Sequence, residues 1–146
     1  LINEKIGSTF FIGIILTDAV IEADKIVNKT CMNCNLCVKM CKAQAINEDG
    51  ILNQNKCISY LTSKKNLTND EEKLIGKCIY GCDDCINVCP YNKNNITEID
   101  SINENEFLNM SDEDFKNIYG NMACAWRGKK ILDRNIILSN KNDSIV

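Results

Sequence analysis

Apolar and polar positions divide the chain into three stretches of different character. The first is a continuous apolar run over residues 9–17, in which Phe10, Phe11, Ile12, Ile14 and Ile15 are interrupted only by Gly13. β-Branched and aromatic residues at this density predict a buried strand, with a short buried helix as the alternative. The strand follows a turn at Glu4-Lys5-Ile6-Gly7-Ser8. A strand this apolar needs cover on both faces. Residues 1–22 are therefore expected to close a larger domain lying upstream. The opening Leu1, in place of Met, agrees with a piece of a longer chain.

The second stretch, residues 23–95, has little periodicity. One helix is expected in it, starting at Asn69 or Asp70 as cap, with acids in its first turn and Gly76 at its end. The third stretch, residues 96–146, turns helical. Ser111 with Asp114 resembles a capping box ahead of Phe115, Ile118 and Tyr119, and Gly120 stops that helix. Ile131, Leu132, Ile136, Ile137 and Leu138 predict another, and residues 140–146 are expected to fray.

Composition changes the picture through cysteine. Ten cysteines occur in 146 residues, and nine of them fall in the second stretch. There is no secretory leader pattern, and the apolar run is too short to span a bilayer. Seven of the cysteines sit in two tight runs with Cys57 between them, which is metal-ligand spacing rather than a disulfide framework. A reducing, cytoplasmic setting follows, with no membrane association. The chain lacks histidine. That excludes Cys2His2 zinc, Rieske centres, His-ligated haem and Ser-His or Cys-His catalysis. The net charge of −3 gives the whole chain no general attraction for nucleic acid.

Cys31-Met32-Asn33-Cys34-Asn35-Leu36-Cys37-Val38-Lys39-Met40-Cys41 has the C-x2-C-x2-C-x3-C spacing of two-cluster ferredoxins. The third cysteine at the same step is awkward for zinc, which prefers paired knuckles separated by a long loop. Cys82-Asp83-Asp84-Cys85-Ile86-Asn87-Val88-Cys89-Pro90 repeats the last three cysteines and the closing proline. A regular ferredoxin would place one more at position 79, where Ile79 stands. In this pattern the last cysteine of each run crosses to the other cluster. Cys31, Cys34, Cys37 and Cys89 are thus expected to hold one [4Fe–4S] cluster. Cys41, Cys82 and Cys85 hold the other, with Cys57 or Cys78 as its fourth ligand. Cys124, and whichever candidate is not used, read as buried core thiols.

Three blocks then resemble one family, the cobalamin-dependent epoxyqueuosine reductases. They are Gly7-Ser8-Thr9-Phe10-Phe11-Ile12-Gly13 with Leu16-Thr17-Asp18; Cys57-Ile58-Ser59-Tyr60-Leu61-Thr62; and Gly81-Cys82-Asp83-Asp84-Cys85 with Val88-Cys89-Pro90-Tyr91-Asn92. Residues 110–115 and Arg134-Asn135 look like the C-terminal region of the same family. Lys42, Ile86 and Tyr91 depart from its usual Pro, Gln and Trp.

The resemblance implies Cys57 as the fourth ligand and leaves Cys78 spare. It also implies a cobalamin beside one cluster, with Ser59, Asp83 and Asp84, and less strongly Ser8, as candidates for the corrin-facing surface. The same three side chains would otherwise simply cap turns. The implied fold is α+β. It comprises a bacterial two-[4Fe–4S] ferredoxin-like module at 23–95, the end of an α/β cobalamin-binding domain at 1–22, and a helical, HEAT-like segment at 96–146. The implied substrate is tRNA with epoxyqueuosine at the anticodon wobble position. The implied electron donor is a flavodoxin or ferredoxin, and the expected state is monomeric. The catalytic acid would lie upstream of residue 1, so this stretch alone is not expected to turn over. Lys64, Lys65, Arg127, Lys129, Lys130 and Arg134 are candidate phosphate contacts, or else a solvated helix face, and Trp126 is a candidate to stack on a base.

Other classes fit less well. A stand-alone ferredoxin-type carrier would have no use for the Cys57–Thr62 block or the helical tail. A reductive-dehalogenase-like enzyme also combines cobalamin with two clusters, but the basic tail favours the tRNA enzyme. A structural zinc module conflicts with the triple cysteine step.

Overall fold

Asparagine sets the path of the first cysteine run. Asn33 and Asn35 adopt left-handed backbone conformations, with φ of 53° and 55°, a region that Asn enters more readily than most residues. The loop therefore coils before releasing the chain into a short helix, α1 (Leu36–Met40). The computed structural model describes residues 2–3, 5–26, 31–92 and 102–143.

After α1 the chain reverses at Gln44 (φ 48°) and forms an isolated antiparallel bridge, Ile46 to Leu52. A 3₁₀ turn (Gln54–Lys56) then leads into α2 (Ile58–Ser63), which starts directly after Cys57. The expected helix follows as α3 (Asn69–Ile75), but its cap is one residue earlier than predicted. Thr68 accepts the Glu71 N–H, while the Glu71 carboxylate accepts the Thr68 N–H. This reciprocal capping box satisfies two orphan donors at once, which Asn69 or Asp70 alone would not. Gly76 (φ 58°) ends the helix.

The second cysteine run folds like the first, as a loop followed by a short helix, α4 (Asp84–Asn87), which packs against α1. The helical tail holds α5 (Glu104–Asn109), capped by Asn103, and α6 (Asp112–Tyr119), capped by Ser111 as expected. A 3₁₀ turn (Ala123–Arg127) and Gly128 (φ 84°) lead to α7 (Lys129–Asp143). This helix reaches Asp143, beyond the point where fraying was expected; residues 144–146 lie outside the described residues.

Two apolar clusters organise the fold. Phe107, Phe115, Leu132 and Ile136 form the tail core, with Tyr119 and Ile79 against it. The three rings of Phe107, Phe115 and Tyr119 lie with centroids 5.4–5.8 Å apart. Burying each phenylalanine stabilises the tail by about 2–3 kcal/mol. A smaller cluster of Ala43, Ala45 and Ile58 underlies the cysteines, with Cys41, Cys57, Leu74, Cys78 and Cys82 packed on it. Cys124 joins the tail core, as a core thiol should.

Two expectations are corrected. The strand over residues 9–17 does not form: residues 9–26 have no regular secondary structure, and Phe11, Ile15, Leu16 and Val20 are at least 89 % exposed. A strand needs a neighbouring edge to satisfy its backbone, and the described residues offer these positions none. The β component of the expected α+β fold accordingly shrinks to two isolated bridges, Asn3 to Gly7 and Ile46 to Leu52, and the described residues are mostly helical. The boundary expected between 95 and 96 lies outside the described residues. Among the described residues no helix is long and apolar enough to cross a membrane.

Candidate metal centre

Cys31, Cys34 and Cys37 come from the coiled loop and the first turn of α1. Cys41 follows its last turn and Cys57 precedes α2; Cys82 and Cys85 bracket the start of α4, and Cys89 follows its end. These eight cysteines border one cavity of about 630 Å³. Ser8, Lys42, Ile58 and Asp84 also line it, whereas Cys78, Ser59 and Asp83 do not. The volume is that of a small-cofactor site.

Within the cavity the thiols fall into groups. Burial first, and then the neighbouring Cys82, Cys41 and Cys57, push the Cys85 thiol up to about 11. Burial likewise raises Cys82, offset in part by the Asp84 N–H that donates to its sulfur. Cys41, Cys57, Cys82 and Cys85 are therefore close enough to feel one another's charge. Burial of Cys82 and Cys85 opposes their ionisation unless positive metal compensates it. Backbone donors are already aimed at two more sulfurs: Ala45 N–H to Cys41 Sγ at 3.2 Å and Asn33 N–H to Cys31 Sγ at 3.4 Å. Such N–H···S bonds tune the potential of an iron–sulfur cluster.

Among the described residues no three Cys, Asp or Glu side chains converge tightly enough to hold a single ion. A tetrahedral zinc draws sulfurs to about 2.3 Å from one centre, whereas a [4Fe–4S] cube spreads its four thiolates over four irons. The donor chemistry and the size of the cavity fit clusters.

Two buried asparagines, quoted above only as part of the family resemblance, hold this arrangement. Asn92 accepts the Ser8 N–H at 2.7 Å and donates to Ser8 Oγ at 2.8 Å and the Ile86 carbonyl at 2.7 Å. It thereby ties the N-terminal turn to α4. Gly7 (φ 69°) is required beside it, because a Cβ there would overlap Asn92 Oδ1 and the Tyr91 carbonyl. Asn135 on α7 donates to the carbonyls of Thr62 and Ile79, both at 2.7 Å. Thr62 Oγ1 in turn accepts the Gly81 N–H at 3.1 Å. The helix that leaves Cys57 and the loop that enters Cys82 are thus locked to the helical tail.

The candidate corrin-facing residues separate. Ser59 and Asp83 are exposed on the outer side of the cysteines, while Asp84 faces the cavity and pairs with Lys42 at 3.4 Å. The basic patch also divides. Lys129 is 7 % exposed and bonds Asp133 and the Leu108 carbonyl. Arg134 donates to the carbonyls of Lys64 and Lys65 and to Asn135 Oδ1. Both side chains are engaged within the fold, Lys129 between α5 and its own helix and Arg134 between α7 and the end of α2. Lys65, Arg127 and Lys130 remain exposed. Trp126 is 61 % exposed, not a packing anchor, and the Arg127 guanidinium covers one ring face at 3.9 Å.

Comparison with known proteins follows this geometry. Residues 30–92 match the family described as 4Fe-4S double cluster binding domain. The chain is 40 % identical over 148 residues to an epoxyqueuosine reductase of Staphylococcus aureus, covering 94 % of this chain and 39 % of the relative. It is similar to the solved epoxyqueuosine reductase of Streptococcus thermophilus with a TM-score of 0.75 and 33 % identity, over 86 % of this chain and 36 % of that one. It is also similar to an epoxyqueuosine reductase solved with an epoxyqueuosine-modified tRNA-Tyr stem loop, with a TM-score of 0.72 and 32 % identity, over 83 % and 35 % of the two chains. The chain thus spans about two fifths of the length of the relatives it matches.

Proposed function

We propose that the chain is the electron-relay portion of an epoxyqueuosine reductase, a reading supported by its 40 % identity and its structural likeness to such enzymes. In this reading Cys31, Cys34, Cys37 and Cys89 hold one [4Fe–4S] cluster, and Cys41, Cys57, Cys82 and Cys85 hold the other. The observation that carries it is the cavity bordered by all eight cysteines, with Cys57 on its wall and Cys78 off it.

The proposed reaction removes the epoxide oxygen of epoxyqueuosine in tRNA as water, consuming two electrons and two protons. Bound cobalamin would supply the low-potential metal chemistry for that deoxygenation. Iron–sulfur potentials span about −700 to +450 mV, so clusters of this type reach the reducing range required. This chain's residues divide the remaining work. The cysteines would hold the clusters, whose chemistry is one-electron transfer, and Asn92 and Asn135 fix the segments that carry those cysteines. Ser59, Asp83 and Asp84 are the proposed corrin-facing side chains, with Asp84 on the cavity side and the other two off it. The exposed Lys65, Arg127 and Lys130 are the proposed phosphate contacts.

The test is anaerobic turnover. Full-length protein with cobalamin, a chemical reductant and tRNA carrying epoxyqueuosine should give queuosine in the nucleoside digest. Cluster-replete protein that leaves epoxyqueuosine intact under these conditions would overturn the assignment, and product formed without cobalamin would remove its cobalamin component.

A further inference from the structure

Two adjacent residues point in opposite directions. Ile79, which stands where a regular ferredoxin has a ligand, packs into the tail core with Phe107 and Phe115. Cys78 turns the other way and packs on Ala43, Ala45 and Ile58, beside Cys41, Cys57 and Cys82. Its backbone is pinned by the Cys78 N–H to the Ile75 carbonyl at 3.1 Å, just after the left-handed Gly76. With the Gly81 turn (φ 72°) between them, Cys78 and Cys82 pack on the same Ala43, Ala45 and Ile58 cluster. Cys82 lines the cavity and Cys78 does not. Cys78 is therefore a fifth sulfur directly behind one ligand of the second cluster.

We propose that Cys78 is a reserve ligand for that cluster, placed to take over the iron held by Cys82. The proposal rests on the two-cluster reading above. An apolar residue of similar size would fill the space equally well. What distinguishes Cys78 is a sulfur packed on the same small cluster as a ligand sulfur. The exchange is a ligand substitution without electron transfer: the Cys78 thiol gives its proton to solvent, its sulfur–iron bond forms, and the iron–sulfur bond to Cys82 breaks. Loss of the Cys82 thiolate to alkylation would then leave the cube intact.

The experiment counts iron and sulfide and records reduced EPR spectra on anaerobically purified full-length protein. Wild type and Cys78→Ala should each hold about eight irons. Cys82→Ala should also keep about eight, with an altered spectrum for one cluster, while Cys82→Ala/Cys78→Ala should fall to about four. Cys85→Ala, which has no such neighbour, should fall to about four whether or not Cys78 is present. The four irons left in the double variant report that the rest of the fold survives. Loss of the second cluster in Cys82→Ala alone overturns the proposal, as does its retention in the double variant. A wild-type protein without about eight irons would fail the cluster reading itself and take this proposal with it.

Discussion

Asn135 on the last helix donates one amide hydrogen to the Thr62 carbonyl at 2.7 Å and the other to the Ile79 carbonyl at the same distance. Arg134 Nε and an Nη donate to Asn135 Oδ1, which fixes the orientation of the amide. The side chain is fully buried. One residue of the tail thus holds both the helix that follows Cys57 and the loop that precedes Cys82. Replacing Asn135 with Leu leaves two carbonyls without donors in an apolar setting, at about 1–3 kcal/mol each. Denaturant unfolding should show a loss of about 2–6 kcal/mol. The second cluster should release iron to a chelator faster than the first. Equal release from both would mean that Asn135 supports the fold without positioning that site.

A second prediction concerns the turn around Gly7. Gly7→Ala requires a left-handed conformation that alanine disfavours and drives a methyl into Asn92 and the Tyr91 carbonyl. Asn92→Leu removes the same link from the other side. Each should destabilise by about 1–3 kcal/mol, and the double variant should lose less than the sum because both break one contact. Additive losses in a double-mutant cycle would argue against the Ser8–Asn92 lock.

The divided basic patch predicts divided phenotypes. Arg134→Ala should lower stability by about 1–3 kcal/mol while leaving the salt dependence of tRNA binding unchanged. Lys130→Ala should do the reverse, reducing the slope of log affinity against log salt by about 1. Binding titrations across a salt series separate the two. An unchanged slope for Lys65, Arg127 and Lys130 variants alike would remove this face from the proposed interface.

Glu71 gives a pH prediction. Its hydrogen bond from Lys64 is the main cause, ahead of that from the Thr68 N–H, that lowers its carboxyl below the ordinary 4.5. A depressed acid contributes stability above its unfolded value and loses it as pH falls through the folded one. The stability gap between wild type and Glu71→Gln should therefore be constant above about pH 5 and close as pH drops below 4.5. A gap that persists at pH 3 would show that packing, not the carboxylate, carries the effect.

The parts of this fold legible in sequence are those encoded locally. Cysteine spacing is a local property, so the seven cysteines of the two runs could be named from it, whereas Cys57 stood level with Cys78 until the family resemblance favoured it. The Ser111 cap and the apolar stripe of α7 lie within single turns of their partners. The burial of Asn92 and Asn135 escaped notice because an asparagine carries no sign of burial until distant carbonyls arrive. For the same reason Lys129 and Arg134 read as surface charge. Residues 9–17 carry a strand pattern, but pairing depends on an edge elsewhere, which these described residues do not provide. Thr68 took the cap from Asn69 because only it stands three residues before Glu71, as a capping box demands.

The central claim, that eight named cysteines hold two clusters, is tested most directly by metal and sulfide analysis with EPR. The protein is purified without oxygen and compared with its Cys57→Ala and Cys78→Ala variants. The account predicts about eight irons and equal sulfide in wild type and Cys78→Ala, and about four in Cys57→Ala. Zinc without sulfide in the wild type, or full iron in Cys57→Ala with loss in Cys78→Ala, would contradict it.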